Sequence, residues 1–349
     1  MDFPANGVDL FAGVLNQVTN MPRTTDPELR EFIRRLPKTE THLHIEGGLP
    51  LNLLREVRPD EPEPESWAHD FKYRDFAHFE QQLLTWGFAF YTSPEQYYRS
   101  ARQQFEQHLA LGVRYVECSF ASGVSEFGGI NAKEIFQAIK EAAPAGLEVR
   151  VFMGIHHSGC GEKMRHVIED SLTWDGFAGV DLHGPEDLPI EPWTAEIWAA
   201  ARAVGKYTKA HAGEFLGADF VRRILEETGA QRIQHGIRSV EDPALVRLLA
   251  ISGITLDVCP ISNAKLVPGV TLENHPIREL VDAGVKVTVN TDDPISFGNN
   301  LIDDYEALFH ARGFTRAELK QLARNGLEVA LVDESTRASW LAELDAISV

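Results

Sequence analysis

The stretch KTETHLHIEGG, residues 38–48, places His42 and His44 two apart in a run that otherwise reads as a strand, with Leu43 and Ile45 between them. Side chains on a strand alternate faces, so the two imidazoles share one side and the two aliphatic residues take the other. Groups spaced about 7 Å apart along one side of a strand can converge on a single ion. They can equally be solvated histidines or histidines bonded within a core, and the rest of the chain decides between these.

Downstream, short apolar β-rich runs recur: VRYVECSF (113–120), EVRVFMGI (148–155), FAGVDLHG (177–184), YTKAHAGE (207–214), RIQHGI (232–237), ITLDVCP (254–260) and KVTVNTDD (286–293). With the opening run they make eight. Between them lie segments of helical spacing, among them AKEIFQAIKEAA, TAEIWAAARAV, ADFVRRILEETG, DPALVRLLAISG and HPIRELVDAG, several closing on glycine. A near-continuous apolar strand followed by an amphipathic helix, repeated eight times, predicts an α/β protein: a (β/α)8 TIM-type barrel with helices outside. An open doubly wound sheet is the alternative architecture.

Two additions to a minimal barrel are expected. A long insertion follows strand one, opening with the acidic RPDEPEPES (58–66), read as a solvated loop, and continuing into the aromatic FKYRDFAHFEQQLLTWGFAFY (71–91), read as a packed helix. Two further helices, over 315–329 and 333–346, are expected to cover one side of the barrel. No internal repeat or low-complexity linker divides the chain, so residues 1–349 read as a single barrel domain.

Composition narrows the function classes. The 349 residues are 44% hydrophobic and 24% charged, enough apolar material for a large core. The 33 basic and 52 acidic residues leave a formal charge of -19, which repels nucleic-acid backbones and anionic membranes. The opening MDFPANGVDLFAGVLNQVTNMPR lacks a cationic lead and an unbroken apolar run, unlike a signal peptide or membrane span. Cys118, Cys160 and Cys259 are far apart and form no CxxC pair, as suits reduced thiols in the cytoplasm.

In such a barrel the active site is built from the C-terminal ends of the strands. The unusual polar residues fall there: His42 and His44 on strand one, His211 and Glu214 after strand five, His235 after strand six, Asp292 and Asp293 after strand eight. Each has an ordinary explanation alone, as a strand-to-helix turn, a capped histidine or an Asx turn. All of them on one rim do not. Three imidazoles and a carboxylate make a first shell for Zn²⁺, and a Glu and a His remain for proton transfer.

The series KTETHLHIEGG, DLHG (181–184), HAGE (211–214), QHG (234–236), CPISN (259–263) and NTDDP (290–294), in this order, resembles the motif series of the adenosine deaminase family within the amidohydrolase superfamily. The resemblance runs from about residue 36 to 312. It implies one zinc ion per chain and hydrolytic removal of the 6-amino group of a purine, the small-molecule partner. Residue by residue, it makes His42, His44, His211 and Asp292 the zinc ligands. Glu214 matches the acid that protonates purine N1, His235 the residue that assists the attacking water, with Asp292 taking that water's proton. Asp293 matches the partner of N7, and Gly184 a backbone N–H that meets N3. The segment bearing Phe76 and Phe79 corresponds to a lid over the pocket.

Two positions depart from the nucleoside-deaminase pattern. Glu46 stands where Asp commonly meets the ribose, and relatives acting on free adenine tend to carry Glu. His183 replaces a small residue before Gly184. The expected substrate is an adenosine-like nucleoside, with free adenine as the alternative. A two-metal amidohydrolase often uses a bridging Lys from strand four, which FAGVDLHG lacks; a non-catalytic purine-binding relative would have lost a ligand or the acid, and none is missing. His156 and His157 are read as structural or surface residues, and Cys259 as a buried small side chain. The oligomeric state is not legible in the sequence.

Overall fold

The structure is a computed structural model that describes residues 26–158 and 162–349; Cys160 and the opening segment 1–23 lie outside them. Eight parallel strands follow one another around a single sheet in the order β1 to β8. They are β1 (Lys38–His44), β2 (Val113–Ala121), β3 (Glu148–His156), β4 (Gly179–His183), β5 (Tyr207–Ala212), β6 (Arg232–His235), β7 (Thr255–Val258) and β8 (Val287–Val289). This is the (β/α)8 barrel that the strand–helix alternation predicts.

The seam between β8 and β1 closes differently from the other pairs. The strand expected over KVTVNTDD stops at Val289, and the chain meets β1 again through an isolated bridge between Leu43 and Asp292. His44 N–H donates to Asp292 O (3.2 Å) and Asp292 N–H donates to His42 O (3.1 Å). Asn290 fills the step below, accepting from Thr41 N–H through its side-chain oxygen at 2.7 Å. Strand β1 also departs from strict alternation. Between Glu40 and Leu43 it takes three steps against two on β2, a bulge, and bulges of this kind re-aim side chains beside active sites. His42 and His44 lie at and beyond it and keep their common side.

The outer helices bury the stripes their spacing predicts. In Ala218–Thr228, Ala218, Val221, Ile224 and Thr228 face inward, and Gly229 ends the helix in the left-handed region at φ +61°. The helix Arg316–Val329 covers the β8–β1 seam. Its interior Gly326 costs helix propensity, but a Cβ there would lie 2.0 Å from Thr39 Oγ1, so only glycine permits the approach. A contiguous apolar core runs from Leu29 to Ile347.

The insertion forms helices over Leu51–Val57, Phe76–Phe90 and Pro94–Ala110. Residues 58–63 of the acidic run are largely exposed, whereas Ser66 and Trp67 are buried. The Trp67 indole N–H donates to Ile295 O at 2.6 Å and pins the insertion to the segment after β8. Phe79 stacks on Phe297 with ring centroids 5.5 Å apart, inside a small cluster with Tyr73, Ile261 and Leu266 that lies apart from the main core. Phe76 meets Phe215, just beyond β5, edge to face at 5.5 Å. Among the described residues, no helix is long and apolar enough to cross a membrane.

Candidate active site

The C-terminal ends of β1, β5 and β6 and the segment after β8 bring His42, His44, His211, His235, Glu214 and Asp292 together. Nε2 of His211 lies 3.0 Å from Nε2 of His42 and 3.2 Å from Nε2 of His44. Asp292 Oδ1 lies 3.3 Å from His42 Nε2 and 3.4 Å from His44 Nε2. Ligand atoms that share one ion at bonds of 2.0–2.1 Å lie about 3–4 Å apart, and these four donors all lie within 4.8 Å of one another, close enough to converge on a single ion. The tautomers sharpen the point. His211 Nδ1 lies 2.8 Å from Leu182 O and His42 Nδ1 lies 3.2 Å from Asp257 O. A carbonyl only accepts, so His211 Nδ1 carries the proton and its Nε2 presents a lone pair to the other donors. A backbone carbonyl that holds the far nitrogen of an imidazole in this way is the usual support of a metal-ligating histidine, so the donor set fits a metal ion.

The backbone that delivers these groups is strained where they sit. Among the described residues, His235 (φ +61°) and Asp292 (φ +68°) are the non-glycine residues with positive φ. Such conformations persist where the surroundings over-determine them, and they cluster at functional sites. Ser262 Oγ donates to Asp292 Oδ2 at 2.7 Å and fixes which carboxylate oxygen faces the imidazoles. Burial works to raise the Asp292 pKa, but the imidazoles of His42, His235 and His44 outweigh it and hold the group well below the carboxylate range.

Glu214 and His235 stand beside the four donors, with His235 Nε2 3.5 Å from Glu214 Oε2 and 4.0 Å from Asp292 Oδ2. Burial, with repulsion from Asp292 and Glu186, pushes the Glu214 carboxyl well above its ordinary range, against a hydrogen bond from Asn263. Burial and the neighbouring His42 push His235 far down, so its ring is neutral. Glu186 orients the turn that carries Glu214: its carboxylate accepts from the backbone N–H groups of Glu214 (2.9 Å), Phe215 (3.0 Å) and Leu216.

The remaining candidates line the adjoining space. Asp293 Oδ1 is buried without a partner, and a Cβ on Gly47 would lie 1.6 Å from it. Burial and the adjacent Asp292 push the Asp293 carboxyl well up. Glu46 accepts at Oε1 from Tyr97 O–H (2.9 Å) and Ala121 N–H (3.1 Å), so Oε2 is the oxygen left to a ligand. Burial raises Glu46 to about 7 against those two bonds and a third from its own backbone N–H. Gly184 has φ +99°, and a Cβ there would run into the His156 ring at 2.6 Å. His183 stacks on His44 with centroids 5.5 Å apart. His156 pairs with Ser158 Oγ (2.7 Å) and faces Glu80 of the insertion at 3.7 Å. His157 is fully buried, and Cys259 lies buried with Sγ 3.4 Å from His42 Nδ1, its thiol pushed well up by burial.

Sequence reasoning missed four residues. Asp181 and the pair Ser262–Asn263 sit inside DLHG and CPISN, strings that carry the resemblance but in which these positions had no assigned task. Asp181 Oδ1 lies 3.3 Å from His211 Nδ1, behind the donor cluster. Glu186, two residues beyond Gly184, had no local signal, because its partners lie on another strand's turn.

A barrel whose rim gathers three imidazoles and a carboxylate beside a buried acid has the donor set of a metal-assisted hydrolase. A sequence profile of the Adenosine deaminase family matches residues 37–347, and the chain belongs to that family. It is 32% identical over 337 residues to an adenine deaminase of Cupriavidus necator, covering 92% of this chain and 95% of that protein. It is 33% identical over 340 residues to an aminodeoxyfutalosine deaminase of Streptomyces avermitilis, covering 92% and 94%. A solved amidohydrolase from Burkholderia ambifaria with bound Zn superposes with a TM-score of 0.80 at 27% identity, covering 93% of this chain and 94% of that one. The chain is thus a hydrolytic deaminase of 6-aminopurines.

Proposed function

We propose that the enzyme uses one zinc ion per chain, held by His42, His44, His211 and Asp292, to deaminate an adenosine-like nucleoside to its inosine-like product and ammonia. The observation that carries this reading is the set of four donor atoms within 4.8 Å of one another with Glu214 and His235 beside it. When bound, zinc lowers the pKa of water toward ~7 and so supplies a nucleophile at neutral pH. Glu214, kept protonated by its enclosed site, gives N1 the proton that localises charge on the ring. His235 donates from Nε2 toward the oxygen added at C6, and Asp292 takes the proton that the attacking water loses. Asp293 meets N7, and the Gly184 N–H meets N3. The insertion with Phe76 and Phe79 closes over the ligand and excludes water.

Glu46 decides the ligand beyond the purine. Its free Oε2 suits a sugar hydroxyl, which supports the nucleoside. The relative from Cupriavidus named adenine deaminase supports free adenine as a second reading, in which Glu46 holds the N9 or N3 proton of the base. Ammonia release from adenosine, 5'-extended adenosines and adenine, compared by kcat/KM, tests the choice: a nucleoside should win clearly, and a higher value for adenine would select the second reading. We also take residues 1–349 to act as one domain in the cytoplasm without nucleic-acid or membrane partners, in keeping with the contiguous core and the buried free thiols of Cys118 and Cys259.

A further inference from the structure

The geometry points to Asn263 and His275 as positioning residues that fix, from a backbone amide, which nitrogen of His235 carries the proton. This rests on the roles given above to Glu214 and His235.

The relay can be followed one bond at a time. Ile277 N–H lies 3.1 Å from His275 Nδ1. A backbone N–H only donates, so His275 Nδ1 is bare and the proton of the neutral ring sits on Nε2. His275 is fully buried, and burial with Arg312 nearby pushes it down to about 3, so the ring is neutral. Nε2–H faces Asn263 Oδ1 at 3.3 Å. That contact settles the orientation of the amide, an assignment that distances within a carboxamide alone do not make. Asn263 Nδ2 must then point the other way, where it has two partners, Glu214 Oε1 at 3.0 Å and His235 Nδ1 at 3.0 Å. Each of its two protons has one acceptor. His235 therefore accepts at Nδ1 and keeps its proton on Nε2, the nitrogen that faces Glu214 Oε2 and Asp292 Oδ2.

The consequence is a division of labour. His235 enters the reaction as a hydrogen-bond donor and not as a base, and one amide fixes the orientation of Glu214 and His235 together. Ile277 and His275, Asn263, Glu214 and His235 come from four separate stretches of chain, so no local sequence pattern joins them.

The test uses the full chain, zinc-loaded and labelled with ¹⁵N in its histidines. Long-range ¹H–¹⁵N correlations assign each ring's tautomer, and both His235 and His275 should show Nε2–H with bare Nδ1. Asn263→Leu, similar in size but without polar atoms, should release His235 to a mixture of tautomers and lower kcat by ~10². KM should stay within about threefold, since the substrate contacts remain, and zinc content should be unchanged. His275→Phe should reproduce this pattern through an intact Asn263, while His275→Gln, which keeps a donor toward Asn263, should restore most of kcat. The inference is overturned if wild-type His235 shows Nδ1–H, or if Asn263→Leu and His275→Phe both leave its tautomer and turnover unchanged. The spectra require no substrate, so an error in the substrate would leave them standing; wild-type turnover in Glu214→Gln would remove the acid and not the relay.

Discussion

The barrel interior holds two layers of buried charge, and they are treated in opposite ways. In the lower layer, Arg232 meets Glu117 Oε2 at 2.7 Å, Asp257 Oδ2 at 3.5 Å and Val329 O at 3.0 Å. Lys209 sits 3.3 Å from Glu117 and donates to Thr41 O at 2.9 Å. Asp257 Oδ1 accepts from Thr41 Oγ1 and Thr288 Oγ1 at 3.0 and 2.7 Å. Burial works to raise Glu117, yet Arg232 and Lys209 bring it below its usual value, the behaviour of a satisfied ion pair. On the rim above, Asp293 Oδ1 has no partner, Glu214 is held far up, the Nε2 atoms of His42 and His211 crowd to 3.0 Å and two backbone positions take positive φ. The same residue types build structure where each charge has its counter-charge and build a site where the counter-charge is left to a ligand.

The comparison breaks if rim and interior respond alike to substitution. The largest effect on turnover is expected for Glu214→Gln, which keeps the shape and removes the acid. Steady-state kinetics should show kcat lower by at least ~10² with zinc still bound. With Glu214 acting as the proposed acid, its protonated form is the catalytic one, so the wild-type rate should fall as pH rises through the raised Glu214 pKa, and that alkaline limb should vanish in the variant. Asp181→Asn weakens the group behind His211 Nδ1. Chelator competition should show zinc affinity reduced by ~10-fold, the low end for such outer partners, because Leu182 O accepts from the same N–H. Glu46→Gln should raise KM for a nucleoside by about tenfold with kcat little changed, as for a contact shared by ground and transition states. If the substrate is free adenine, kcat should fall as well.

In the lower layer the expectation reverses. Arg232→Met should leave kcat of the folded enzyme within about twofold and cost about 3–5 kcal/mol of stability in denaturant melts, because Glu117 and Asp257 lose their buried counter-charge. A large loss of turnover at unchanged stability would merge the two layers into one functional unit.

The rim was legible in the sequence because strand ends announce themselves: an alternating apolar run that stops on His, Asp or Glu marks both the strand and its mouth. His42, His44, His211 and His235 were found in this way, with Asp292 carried by its place after the last apolar run. What stayed hidden depends on pairing across the sheet. The short β8 and the closure of the barrel through the Leu43–Asp292 bridge follow from register, which a single strand does not encode. The paired interior was hidden for the same reason, since Glu117, Lys209, Arg232 and Asp257 lie on four strands and each reads alone as a charge in an apolar run. Asn263, His275 and Glu186 act through partners on other segments. The aromatic insertion was read both as packed and as a lid, and Phe79 is indeed buried, in a small cluster apart from the main core.

The most direct test of the rim as a single-metal deaminase centre is to titrate metal-stripped protein with Zn²⁺ while following ammonia release from its best 6-aminopurine substrate. Activity should rise linearly from none and level off at one zinc per chain. Full activity without metal, or a plateau that requires two ions per chain, would contradict the account.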